Sequence, residues 1–144
     1  MKCSEAGYDL IKSFEGLSLE AYPDPASGGE PWTIGYGHTG GVKRGDTVTE
    51  AEADELLRKD VARAERCLAN SVKGVLTQGQ IDACCSFIFN LGCGNFGKST
   101  LLKCINAGDD VAAAAEFGKW VRGGGKIMAG LVRRRQAEVE LFLA

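Results

Sequence analysis

Two carboxylates and a hydroxyl stand close together near the start of the chain: Glu15, then Asp24 nine positions on, then Thr33 nine further. Gly16 follows the first of them, and Trp32-Thr33-Ile34-Gly35-Tyr36-Gly37-His38-Thr39 surrounds the last. One carboxyl group that protonates a leaving oxygen, and another that manages water or a developing cation, are what cleavage of a glycosidic bond requires. A hydroxyl beside them can hold the attacking water.

The elements that must position these groups can be read from spacing. Tyr8, Leu10, Ile11 and Phe14 form an apolar stripe at helical period, and Gly16 stands where a left-handed glycine ends a helix, so Glu15 is expected to be the last helical residue. A carboxylate there faces the negative end of the helix dipole, which costs a few tenths to about 1 kcal/mol at an exposed site and favours the form able to donate a proton. The following segment is expected to be a strand with Thr33, Gly35, Gly37 and Thr39 on one face and Ile34, Tyr36 and His38 on the other. Two glycines on one face leave room for a helix terminus or a substrate to approach the backbone. All three prolines, Pro23, Pro25 and Pro31, fall in one loop, and the first two hold Asp24 in a stiff segment. Each residue also has a plainer role: turn chemistry for an aspartate between prolines, β-branched packing for Thr33, and a hydrogen-bonded strand position for His38, the sole histidine.

Taken together, these residues resemble the phage-type lysozymes, the muramidase family that includes phage endolysins. The resemblance is strongest in Glu15-Gly16-Leu17-Ser18-Leu19-Glu20-Ala21-Tyr22-Pro23-Asp24 and in Trp32 to Thr39. Weaker echoes lie in Leu76-Thr77-Gln78, Phe89-Asn90-Leu91-Gly92 and Gly130-Leu131-Val132-Arg133-Arg134-Arg135. It implies Glu15 as the acid, Asp24 as the group that activates water or stabilises positive charge, and Thr33 as a holder of the water. Many family members place the threonine six positions after the aspartate; here Ala26-Ser27-Gly28-Gly29-Glu30-Pro31 lengthens the loop and makes Glu30 a rival second carboxylate.

At 144 residues and 44% hydrophobic, the chain can bury the core of one domain. Its net charge of −2 is uneven, with −5 on residues 1–97 and +3 on residues 98–144. That is too mild for a nucleic-acid binder. A basic patch around Arg133-Arg134-Arg135 could attract an anionic polymer such as peptidoglycan, or be a solvated helix face. Met1-Lys2-Cys3-Ser4 leads directly into a polar helix, without an apolar leader or membrane-spanning stretch, so a host-cytoplasmic protein is expected, reaching the wall once the membrane opens. In that setting the six cysteines, Cys3, Cys67, Cys84, Cys85, Cys93 and Cys104, are expected to stay reduced. Their spacing suggests no metal.

The remaining chain reads as helical. Thr49-Glu50-Ala51-Glu52 is a capping box opening a long helix. Thr77-Gln78-Gly79-Gln80 opens another, whose Ile81, Cys84, Cys85, Phe87, Ile88, Phe89 and Leu91 are apolar nearly all round. Helices over about 99–107, 110–121 and 129–143 follow, broken at Gly108 and at Gly123-Gly124-Gly125. Gly92-Cys93-Gly94-Asn95-Phe96-Gly97-Lys98-Ser99 fits the phosphate-cradling pattern, but no strands are available for the sheet it needs, and a turn between helices is expected. Gly35-Tyr36-Gly37-His38-Thr39-Gly40 likewise lacks the helix of a dinucleotide loop.

The expected fold is α+β, mainly α, and lysozyme-like: a hairpin lobe with a catalytic cleft over about 15–48, and a linking helix with a helical lobe over about 49–144, on which helix 3–15 packs. The expected activity is hydrolysis of the β-1,4 bond between N-acetylmuramic acid and N-acetylglucosamine by a monomer without cofactor, nucleotide, nucleic-acid partner or stable membrane insertion. A lytic transglycosylase acting on the same bond with one glutamate, and a catalytically dead wall-binding module, remain alternatives.

Overall fold

Helix α1 (Glu5–Glu15) stops where its sequence requires: Gly16 takes φ 71°, and its N–H returns to the Lys12 carbonyl at 3.0 Å. From there the computed structural model describes the whole chain, residues 1–144. Strands β1 (Ser18–Tyr22) and β2 (Thr33–Gly35) precede α2 (Glu50–Ser71), α3 (Gln78–Leu91), α4 (Cys93–Lys98), α5 (Thr100–Asn106) and α6 (Asp110–Phe117). Strands β3 (Arg122–Gly123) and β4 (Lys126–Ile127) then lead to α7 (Ala129–Leu143). The fold is α+β and mainly α. No helix is long and apolar enough to cross a membrane.

The chain forms two compact units, Lys12–Ala62 and Met1–Ile11 with Arg63–Ala144. In the first, β1 and β2 pair antiparallel, Ser18 opposite Gly35 and Tyr22 opposite Thr33, with an irregularity between them. Ile34, Ala53, Leu57 and Val61 are buried there. Thr49 caps α2 reciprocally, its Oγ1 accepting from the Glu52 N–H at 3.1 Å and its own N–H donating to Glu52 Oε1 at 3.0 Å.

In the second unit α3 packs on α7, and α5 and α6 close the other side. Thr77 and Gln80 form the second capping box, worth about 1 kcal/mol. Phe87 is fully buried at the centre, edge-on to Phe96, Phe117 and Trp120. The amino-terminal segment is tied to it by Asp82, which accepts from the Ser4 N–H and hydroxyl, and by Glu65, which accepts from the Cys3 N–H at 2.7 Å.

Several expectations need correction. Arg134 and Arg135 make neither a basic patch nor a solvated face; they are 3% and 1% exposed. Arg135 donates to Glu138 Oε1 at 2.7 Å, to the Trp120 carbonyl at 2.8 Å and to Asn90, while Arg134 donates to the Ser86 carbonyl at 3.2 Å. Ser86 donates to Glu138 Oε2 at 2.6 Å. Burial pushes the Glu138 carboxyl up and the Arg135 guanidinium down, and the ion pair opposes both shifts.

Cys67 and Cys93 are disulfide-bonded rather than reduced, with their Cα atoms 5.9 Å apart across a sequence separation of 26. Cys3, Cys84, Cys85 and Cys104 are free thiols. The phosphate-loop lookalike folds as α4, a six-residue helix with Phe96 buried. The helix expected to reach Val121 ends at Phe117, and the glycine triplet makes the turn of the β3–β4 hairpin, with Gly124 and Gly125 at positive φ.

Candidate active site

All three residues singled out for chemistry lie in the Lys12–Ala62 unit. Glu15 is half-buried at the end of α1. Its Oε1 would lie 2.7 Å from a Cβ built on Gly37, which has φ 78°. The residue facing this carboxylate must therefore lack a side chain and adopt a left-handed conformation. Glycine satisfies both conditions.

The expected alternation through Thr39 does not occur, because β2 ends at Gly35. Gly35 turns at φ 64°, with its Cβ direction blocked by Ala53 at 3.2 Å, and the chain folds straight back. The Ile34 N–H donates to the His38 carbonyl and the His38 N–H to the Ile34 carbonyl, each at 2.9 Å. Gly-Tyr-Gly is thus a tight turn. The helix terminus does meet glycine there, but at a loop tip and not on a strand face.

His38 anchors the turn. Its Nδ1 lies 2.8 Å from Asp60 Oδ2 on α2, and its Nε2 donates to the Gly40 carbonyl at 2.9 Å. Both ring nitrogens are engaged, as expected of a structural histidine.

One helical turn before Glu15, Lys12 Nζ lies 2.7 Å from Asp54 Oδ1 and 5.4 Å from the centre of the Tyr36 ring. Arg58 Nε meets Asp54 Oδ2 at 2.8 Å. The Lys12 hydrogen bond, then that of Arg58, holds the Asp54 carboxyl below its usual range, and the bond to Asp54 raises Lys12. This cluster fastens the end of α1 to α2 beneath the tight turn. It was absent from the sequence reading, although Asp54 and Arg58 stand at the i, i+4 spacing of a helical ion pair.

Asp24 follows β1 at the end where Tyr22 pairs with Thr33, so both residues belong to the same end of the hairpin. The Asp24 Oδ2 accepts from the Ser27 N–H at 3.0 Å, and its backbone exchanges hydrogen bonds with Gly28 and Gly29. Its turn role is therefore real, and Oδ1 is left without a protein partner. Thr33 Oγ1 donates to the Pro31 carbonyl at 3.4 Å, a long bond that leaves the oxygen able to accept. Glu15 lies toward the opposite end of the hairpin, against the turn that follows the Ser18–Gly35 pair. No three acidic, histidine or cysteine side chains gather as a metal site would require.

Known proteins provide an independent comparison. The chain is 47% identical to an endolysin of Acyrthosiphon pisum secondary endosymbiont phage 1, over 99% of this chain and 98% of that one. It is 44% identical to an endolysin of Bacillus phage PZA, of which it spans 55%. The solved muramidase domain of SpmX from Asticaccaulis excentricus superposes with a TM-score of 0.92 at 42% identity, covering 99% of this chain and 98% of that one. The family model for phage lysozyme matches residues 12–138, nearly the whole length and all of the hairpin unit. The chain belongs to the phage lysozyme family, whose members are cell-wall glycoside hydrolases of the muramidase type.

Proposed function

We propose that the protein is an endolysin that hydrolyses the β-1,4 bond between N-acetylmuramic acid and N-acetylglucosamine in bacterial peptidoglycan. Glu15 protonates the leaving glycosidic oxygen. Asp24 orients water or stabilises the oxocarbenium-like centre, and Thr33 holds the water through its hydroxyl oxygen. The observation that carries this reading is the seat of Glu15, a carboxylate at a helix end packed against a glycine that has no alternative side chain. The Gly37 backbone gives the carboxylate a place that any side chain would fill, and an acid held at a defined place is what proton transfer in the transition state demands. Asp24 is favoured over Glu30 because the Ser27 N–H fixes its carboxylate at 3.0 Å while leaving Oδ1 open, whereas no protein group holds the Glu30 carboxylate in place.

The protein acts on the wall as a monomer. It is made in the host cytoplasm and is released when the membrane opens. On that route the Cys67–Cys93 bond closes after release, since disulfides persist in oxidising surroundings.

Mass spectrometry of fragments from purified peptidoglycan tests the reaction. Reducing muramic acid ends are expected. Anhydro ends would replace hydrolysis with transglycosylation, and intact strands would refute cleavage.

A further inference from the structure

A ring of contacts closes on the end of α1 within the Lys12–Ala62 unit. Gly35 lies so close to α2 that a Cβ built on it would meet Ala53 at 3.2 Å. Asp54, the next residue on α2, holds Lys12 of α1 at 2.7 Å. The Lys12 ammonium in turn lies 5.4 Å from the centre of the Tyr36 ring, inside the reach of about 6 Å for a cation–π contact. Tyr36 is the middle of the Gly35-Tyr36-Gly37 turn, and the Glu15 carboxylate against Gly37 completes the ring.

Lys12 and Glu15 are three apart and therefore neighbours on one face of α1. Consecutive residues of the turn, Tyr36 and Gly37, receive them. The helix end thus meets the turn at two points, and one of the two is the acid itself. A helix end held at a single point can still rotate about it; a second point removes that freedom. Tyr36 is only 8% exposed, so its ring is a firm seat, and a partly desolvated cation is held on such a face more strongly than in open water. Asp54 takes Lys12 on Oδ1 and Arg58 on Oδ2, which fixes where the ammonium sits above the ring.

We propose that Lys12 and Tyr36 are positioning residues for the general acid: their contact sets the distance between the Glu15 carboxylate and the Gly37 turn, and so the place from which the proton is given. Both act through Glu15. The inference rests on the muramidase reading above.

A double-mutant cycle in kcat tests the clamp, with release of reducing ends from purified peptidoglycan as the readout and rates corrected for folded fraction. Lys12→Met and Tyr36→Leu should each lower kcat by about tenfold with KM nearly unchanged, less than the roughly 100-fold of a 1 Å misplacement because other contacts still hold α1. The double variant should lose about the same tenfold and not the product of the two, since either change alone removes the contact. Tyr36→Leu removes no charge, so its loss cannot come from an altered field at Glu15. Tyr36→Phe keeps the ring and should recover most of the rate. A purely structural role would lower the melting temperature and leave kcat of the folded enzyme alone. The Lys12 side chain is 28% exposed, so Lys12→Met should fold, and it decides the question even where Tyr36→Leu does not. Wild-type kcat in folded Lys12→Met, or losses that multiply in the double variant, would overturn the clamp. Failure of the wild-type enzyme to release reducing ends would overturn the muramidase reading itself, and the clamp with it.

Discussion

The Glu15 carboxylate occupies the space a side chain at residue 37 would need: its Oε1 would be 2.7 Å from a Cβ on Gly37, which is held at φ 78°. Gly37→Ala must therefore displace the acid or distort the turn. Activity should fall about 100-fold, as expected for a misplacement near 1 Å, while stability drops by only about 1–2 kcal/mol for the left-handed alanine. Rates measured on samples matched for folded fraction would separate the two effects. Near-normal turnover would show that the contact is incidental.

The Lys12–Asp54–Arg58 cluster carries a definite pH signature. Asp54 is held below its ordinary value of 3.8, so its contribution is present above that pH and is lost as pH falls through the lower folded-state value. Lys12 is raised above 10.5, so its contribution is complete below that pH and fades as pH climbs through the raised value. The pair is nearly a third exposed, which limits it to about 1 kcal/mol or less. Asp54→Asn should lower unfolding stability by up to that amount at neutral pH, and its urea melt should converge with the wild-type melt as pH falls below 3.8 and through the lowered folded-state value. A gap that stays constant down to that pH would exclude the ionic account.

The second carboxylate can be identified by a pair of isosteric changes. Asp24→Asn should lose orders of magnitude in kcat with little change in KM, because the charge acts chiefly in the transition state. Glu30→Gln should lose little, since its carboxylate is exposed and held by no protein group. The reverse ranking would move the catalytic role to Glu30.

Closing a loop of 26 residues, the Cys67–Cys93 bond should contribute roughly 3–4 kcal/mol by restricting the unfolded chain. Cys67→Ser should melt about 10 °C lower. A reductant should lower the wild-type melting temperature similarly and leave the variant unmoved; wild-type melting that ignores reductant would mean that the bond does not form in solution.

How far the sequence could be read depended on whether the signal was local. The end of α1, its glycine cap and both capping boxes depend on neighbours within four positions, and they stand in the structure as read. Arg134 and Arg135 resembled a solvated face because Ser86 and Asn90, about fifty residues away, are what bury them. Glu138, three and four positions on, was the available hint of an internal ion pair. The Cys67–Cys93 pairing depends on how α4 lies beside α2, which no spacing reports. β2 ends at Gly35 and does not run on to Thr39 because Gly35 and Gly37, both at positive φ, fold the chain back around Tyr36, which period-two alternation does not report. Of the two approaches that the glycines allowed, a helix terminus or a substrate, the structure shows the end of α1 at Gly37.

The account rests on Glu15 as the proton donor. Glu15→Gln keeps the shape of the side chain and removes its acid, so release of reducing ends from purified peptidoglycan should fall by about 10²–10⁴-fold, the usual contribution of general acid catalysis. Circular dichroism and melting temperature should match the wild type. A folded Glu15→Gln enzyme that retained most of its rate would contradict the assignment and the mechanism built on it.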